Sequence, residues 1–261
     1  MTGKSQRVLY RLGTGMNREK NIPCFVFPLG MELAPFLHRL EVKRRWKVGR
    51  ATYREAFFEG RTILVVRCGI GPARAAEAVQ NLREHPSAVL SVGTAGALAP
   101  GLVVGELVVA SETVPADDAG SVLKWRPELV AALAQACRDE GAPHRVARLA
   151  TATAAVFART AREDLHRSTG AEAVDMESHA IGSAVAKLGV PLTALRVISD
   201  DLHAPPLPQL AGLRRVWRTP LALPRELAGF WRWKSFLRDF RRVVTILPPV
   251  LLRLIRSGQL G

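Results

Sequence analysis

The chain has 261 residues, 48% of them hydrophobic, and a formal net charge of +14. That length supports one large domain with a well-buried core, and that apolar content excludes a disordered chain. No run of about 18 apolar residues occurs, which excludes a bilayer-spanning helix. The first 22 residues are polar and basic, without the apolar stretch of a secretory signal. Cys24, Cys68 and Cys137 are odd in number, and the first two lie in apolar runs. This predicts reduced, packed thiols in a cytoplasmic protein rather than a disulfide framework.

The positive charge is unevenly placed. From Leu213 onward, eleven Arg and Lys stand against Glu226 and Asp239, a net +9. The rest of the chain is only mildly basic. An anion, a nucleic acid or a membrane surface are the partners such charge admits.

In chain order, residues 1–22 read as a loose leader. Residues 24–28 (CFVFP) form a short buried strand. The spacing of Leu33, Phe36, Leu37 and Leu40 predicts a helix over 30–44. Residues 52–58 alternate weakly, and 62–67 (TILVVR) form a strong strand. Gly69-Ile70-Gly71-Pro72 is a glycine turn, with Pro72 suited to the first turn of the next helix. A buried strand over 88–92 ends in Gly93-Thr94-Ala95-Gly96, where Thr94 reads equally well as a turn residue. A further strand lies within 102–110. An Ala-rich helix spans 127–140 and stops at Gly141. Short strands follow at 146–150 and 173–175, then a helix over 176–188 stopped by Gly189. The last strand, 191–199 (PLTALRVIS), ends at Asp200-Asp201.

Alternating apolar strands and helices predict an α/β fold, a central mixed sheet flanked by helices in three layers. After Asp200 the composition shifts to a proline-rich stretch, 204–208, and then to the basic tail with Trp217, Trp231 and Trp233. The expected organisation is a leader (1–22), a catalytic domain (23–203) and a basic, amphipathic, helical C-terminal segment (204–261).

Three carboxylates fall where an open α/β sheet binds ligands, outside the carboxyl ends of its strands. Glu32 follows the first strand, Glu177 follows residues 173–175, and Asp200 ends the last strand. Position alone is weak evidence, because a carboxylate at a helix start is commonly a cap or a dipole partner. The six histidines form no HxxxH or HxH pair, so no metal is expected. The run from Gly69 to Arg74 is an incomplete dinucleotide fingerprint.

Residues 91–109 (SVGTAGALAPGLVVGELVV), 174–180 (VDMESHA) and 190–200 (VPLTALRVISD) closely resemble the nucleoside phosphorylase and methylthioadenosine/adenosylhomocysteine nucleosidase superfamily. Residues 27–35 and 68–72 resemble its first strand–helix junction and its glycine turn. The resemblance covers roughly residues 23–203, with the motifs in order. It implies a phosphorylase/hydrolase-like fold, cleavage of a nucleoside N-glycosidic bond, and no cofactor beyond inorganic phosphate as a co-substrate. Family relatives are usually homo-oligomers.

The resemblance also assigns roles. Asp200, supported by Ser199, protonates N7 of the purine and needs a raised pKa to do so. Glu177 grips the ribose hydroxyls, with Met176 packed under the sugar. Glu32 orients and deprotonates the attacking water. Thr94 and its neighbour Gly96 line the nucleophile side. One departure is informative: hexameric phosphorylases carry an Arg two positions before the glycine of this loop to hold phosphate, and this chain has Ser91. That tilts the reading toward water, although Gly71, Arg67 and Arg74 stand near the other glycine turn as a candidate phosphate or water side.

The run VDMESH at 174–179, then Arg196 to Asp200, His203, the prolines at 205–208 and the Arg/Leu/Pro tail are similar to the hopanoid-associated phosphorylase group. That similarity implies adenosylhopane as substrate, giving ribosylhopane and adenine, and a protein held at the inner membrane face. A basic, Trp-containing amphipathic tail suits an anionic lipid surface, at about 1 kcal/mol per Lys or Arg near it. The plainer alternative is that Leu227, Phe230, Leu237 and Phe240 pack on the body. Other functions weighed are a soluble methylthioadenosine/adenosylhomocysteine-type nucleosidase, a purine nucleoside phosphorylase, and a non-catalytic nucleoside- or membrane-binding protein. Nucleic acid is disfavoured as a partner because Leu, Ile, Val and Trp are mixed among the tail's arginines.

Overall fold

A computed structural model describes residues 22–82, 85–118, 121–202 and 240–260. The sheet is built on four parallel strands with near-continuous apolar runs: β1 (Cys24–Phe27), β4 (Arg61–Arg67), β5 (Val89–Ala97) and β10 (Leu192–Asp200). They lie in the order β4-β1-β5-β10. Such runs suit strands covered on both faces. Beyond β4 the sheet continues antiparallel through β3 (Ala51–Phe58) to the edge strand β2 (Glu41–Val48).

On the other side, β10 pairs antiparallel with β6 (Leu107–Pro115), which is extended by the short β7 (Leu123–Lys124). Next comes β8 (His144–Thr151), parallel to β6, and then β9 (Ala173–Asp175), parallel to β8. β9 returns to pair antiparallel with the end of β5. Strands β5, β10, β6, β8 and β9 therefore close on themselves, leaving no free edge there. Closure brings Gly96 of β5 beside both Val174 of β9 and Asp200 of β10.

Helices α1 (Gly30–Leu37), α2 (Pro72–Gln80), α3 (Pro127–Asp139), α4 (Arg159–Thr169), α5 (Ser178–Ala186) and α6 (Leu247–Ser257) surround the sheet. The α/β architecture with a central mixed sheet is as the sequence predicts. Several elements differ in extent. The helix expected over 30–44 ends at Leu37, and Glu41–Val48 is strand β2. What makes it a strand lies elsewhere in the chain: Trp46 stacks on Tyr53 of β3 with ring centroids 5.6 Å apart. The strand expected within 102–110 begins at Leu107, after Gly101 and Gly105 turn the backbone at positive φ, and runs on to Pro115 as β6. α4 was not expected at all. Its buried stripe is Arg162, Leu165 and Thr169, with one aliphatic residue to signal a period.

The C-terminal helix α6 is strongly amphipathic. It buries Leu247, Pro248, Val250, Leu251, Leu252, Leu254 and Ile255 and packs against α3 and α1. Phe240 is buried as well. Arg253 donates to Glu140 (3.1 Å) and Arg256 to Glu59 (2.6 Å), so both arginines are paired with the body. Residues 240–260 thus contribute to the core. Leu227, Phe230, Leu237, His203, the prolines at 205–208 and the three tail tryptophans lie outside the described residues, as does the leader up to residue 21. Among the described residues, no helix is long and apolar enough to cross a membrane. Leu251→Ala should lower the unfolding free energy by about 2–5 kcal/mol, read by urea denaturation. A cost under about 1 kcal/mol would mean that α6 does not share the core.

All three thiols are free and buried. Burial pushes Cys24 and Cys68 far above the ordinary thiol range and Cys137 up to about 12, so they stay protonated and unreactive.

Candidate active site

Glu32 lies in the first turn of α1, and its carboxylate is buried. One oxygen accepts the N–H of Leu29 (2.9 Å), as in half of a capping box. The other accepts both the N–H and the hydroxyl of Thr94, each at 2.8 Å. Burial outweighs these donors and holds Glu32 above the usual carboxylate range. Thr94 is therefore no turn residue: β5 runs on through Ala97. The glycines of this strand serve close approach instead. A Cβ at Gly93 would stand 3.1 Å from the Glu32 carboxylate, and one at Gly96 would stand 3.1 Å from that of Asp200.

Glu177 lies in the bend between β9 and α5. The helix begins at Ser178, two residues later than the sequence suggests, with Glu177 as its N-cap residue. Glu177 does not cap by its side chain. Asp175 accepts the N–H of Ser178 (3.1 Å), leaving Glu177 to accept the N–H of Gly71 at 2.7 Å. Gly71 has φ +101°, a conformation that needs glycine. Its N–H is therefore committed to a carboxylate. Half-buried Met176 immediately precedes this carboxylate.

Burial and the neighbouring charge of Asp175 push Glu177 up to about 8. The ordinary value is 4.5, so folding takes up a proton between these two limits, and stability falls as pH rises from the lower to the upper. Glu177→Gln removes that dependence. Its melting temperature relative to wild type should climb between about pH 5 and about pH 9. Parallel pH profiles would contradict this.

Asp200 follows an irregularity in the β5–β10 pairing between Ile198 and Asp200. Such bulges re-aim side chains. Ser199 donates to one Asp200 oxygen at 2.6 Å, and Arg162 of α4 donates to the other. Arg162 is itself buried and also donates to the carbonyls of Val156 (2.8 Å) and Asp201 (3.0 Å). Val156 belongs to an open depression of about 440 Å³, lined mainly by residues 152–158 and including the partly exposed Phe157. One arginine thus joins the wall of that depression to Asp200.

Arg196, fully buried in the middle of β10, lies close enough for its charge to act on both Glu32 and Glu177. It pairs with Asp175 (2.7 and 2.9 Å) and donates to the hydroxyls of Ser91 (2.6 Å) and Ser178 (2.8 Å) and to the carbonyl of Leu195 (3.0 Å). Asp175 also accepts the hydroxyl of Thr151 at 2.7 Å. This network ties β5, β8, β9, α5 and β10 together. Ser91, the position where hexameric phosphorylases carry Arg, thus faces this buried guanidinium.

Thr94 and Gly96 lie two residues apart on β5, roughly 7 Å along a strand. Glu32 is fixed to the first and Asp200 lies against the second, while Glu32 is close enough to raise the pKa of Glu177. Glu32, Glu177, Asp200, Thr94, Gly96 and Ser199 are therefore brought to one place, with Gly71 bound to Glu177. Arg67 is half-buried and extends beside Gly30, and Arg74 is exposed and folds back beside Gly69. Two residues of this centre were missed in the sequence. Arg196 could have been found, since a charge inside the apolar run LTALRVIS demands a partner. Arg162 carries no such signal in its polar helix.

Comparison with known proteins identifies the family. Residues 24–210 match the phosphorylase superfamily. The chain is 30% identical over 179 residues to a 5'-methylthioadenosine/S-adenosylhomocysteine nucleosidase of Actinobacillus succinogenes, covering 60% of this chain and 76% of that one. The protein of the same name from Anoxybacillus flavithermus is 29% identical over 193 residues, covering 65% and 81%. Among solved structures, the Neisseria meningitidis nucleosidase of that name, in complex with methylthio-immucillin-A, superimposes with a TM-score of 0.72. It is 20% identical, with 91% of this chain and 99% of that one covered. Futalosine hydrolase of Helicobacter pylori gives a TM-score of 0.74 at 18% identity, covering 92% and 100%. With all three carboxylates inside the matched span, the chain belongs to the phosphorylase superfamily.

Proposed function

We propose that the protein hydrolyses the N-glycosidic bond of an adenine nucleoside, and that this nucleoside is adenosylhopane, released as ribosylhopane and adenine. The observation that carries the reaction is the convergence of Glu32, Glu177 and Asp200 on the glycine-bearing end of β5. The chain is an enzyme of the N-glycosyl hydrolase and phosphorylase kind.

In this reading, Asp200 gives a proton to N7 as the bond to C1' breaks and its electron pair moves onto the base. Ser199 and Arg162 set the carboxyl's orientation. The base lies toward the depression of residues 152–158, where Phe157 offers a flat apolar face. Glu177 accepts the ribose hydroxyls over Met176. Water adds to C1', giving its proton to Glu32. Burial suits Glu32 to that task by making it a stronger base than an exposed glutamate. Thr94 orders this carboxylate from the nucleophile side. The commitment of Ser91 to Arg196 supports water over phosphate as the nucleophile.

The lipid-linked substrate is supported by the similarity of 174–208 and the tail to the hopanoid-associated group, and by the arginines and tryptophans within 213–239. Because 240–260 belong to the core, membrane attachment is assigned to residues 204–239. A second reading, a methylthioadenosine/adenosylhomocysteine-type nucleosidase, is favoured by the curated relatives. The test is adenine release from adenosylhopane in anionic vesicles, beside adenosine and methylthioadenosine, each with and without phosphate. Preference for adenosylhopane, independent of phosphate, is expected. Turnover of methylthioadenosine alone would establish the second reading.

A further inference from the structure

We propose that the outer part of the sheet, β2, β3 and β4, carries an oxyanion-binding site formed by Thr52, Arg54 and Arg67, with Arg45 and Lys47 at its rim. Strand register places these residues in two cross-strand rows: Lys47, Thr52 and Arg67 in one, and Arg45, Arg54 and Val65 in the next. With a side-chain period of two, both rows face the same side. The opposite side is that of Tyr53, whose hydroxyl donates to the carbonyl of Ala78 on α2 at 2.8 Å. Glu41 and Glu55 lie in register with Phe57 and Arg44, on the Tyr53 side. The basic face of these three strands therefore holds cations and no carboxylate.

Like charges directly opposite on paired strands are destabilising, and here Arg45 faces Arg54. Burial and the charges of Arg45 and Arg67 lower the pKa of Arg54. Two polar atoms on this face have no hydrogen-bond partner among the described residues although both are buried: the hydroxyl of Thr52 and Nη1 of Arg54. Thr52 is 0% exposed. Buried donors left without acceptors are costly, and an anion bearing several acceptor oxygens would satisfy both and offset the repulsion. Arg67 reaches to 3.8 Å from where a Cβ of Gly30 would stand, so the positive end of α1 adds to the same field. The site leads inward from exposed Arg45 and Lys47 to enclosed Thr52.

A phosphate group has the required chemistry. It can come as free inorganic phosphate or as an anionic group on the end of a nucleoside distant from its base. The test is thermal melting of the full chain with inorganic phosphate, with adenosine 5'-monophosphate and with adenosine, against chloride at matched ionic strength. Saturable stabilisation by phosphate identifies the free anion. Saturable stabilisation by the monophosphate, absent with adenosine and with phosphate, identifies the nucleoside-borne group. In either case Arg54→Met and the near-isosteric Thr52→Val should each weaken the midpoint, Arg54→Met by about tenfold or more. No saturable effect of either anion, or an effect unchanged in Thr52→Val and in Arg54→Met, would overturn the site.

Discussion

Replacing Asp200 by asparagine should lower kcat for adenine release by about 10²–10⁴, the usual cost of losing a general acid. Asparagine has the same shape and can still accept from Arg162 and remain in contact with Ser199, so the bulge and the ion-paired loop need not rearrange. The melting temperature should stay close to wild type, while the chemical step loses its proton donor. The effect belongs in kcat far more than in KM, because the proton is shared with the base only as the bond breaks. Near-normal kcat in a well-folded Asp200→Asn protein would remove Asp200 from the chemistry. A matched fall in melting temperature would instead make it a structural residue tied to Arg162.

Arg196→Met should cost about 3–5 kcal/mol of stability, the penalty for breaking a buried ion pair by removing one partner. The side chains of Arg196 and Asp175 are 0% and 1% exposed, so the remaining carboxylate cannot recover water. The hydroxyls of Ser91 and Ser178 lose their shared donor in the same step. Asp175→Asn added to Arg196→Met should restore part of the loss, since a neutral amide is far cheaper to bury alone than a charge. Equilibrium urea denaturation of the two variants measures both effects. A cost below about 1 kcal/mol for Arg196→Met would mean that the network is dispensable. Because the charge of Arg196 acts on both Glu32 and Glu177, the folded fraction of the variant should also turn over more slowly.

The parallel strands were legible because each is a short apolar run with no competing period. The three carboxylates were legible because each follows such a strand at a marked junction. Strand β2 was not, because its residues are mostly charged and its partner is a separate strand. Local spacing from Leu33 to Leu40 therefore suggested a longer helix. The glycines at 93 and 96 looked like a turn, since glycine marks turns and close approach alike. Only the neighbouring strands show that Glu32 and Asp200 fill the space that side chains would have taken. Arg162 was hidden because it performs a core residue's part in a polar helix. In the tail, the alternation of arginine with leucine fits a membrane surface and a protein surface equally well. For residues 247–257 the packing on α3 and α1 decides for the protein.

The most direct test of the central claim is single-turnover cleavage of an adenine nucleoside in water enriched in ¹⁸O, without phosphate, with both products weighed by mass spectrometry. The account predicts free adenine, and one ¹⁸O at the anomeric hydroxyl of the sugar product. Unlabelled product, or adenine released only when phosphate is added and with a sugar 1-phosphate formed, would contradict hydrolysis at this site.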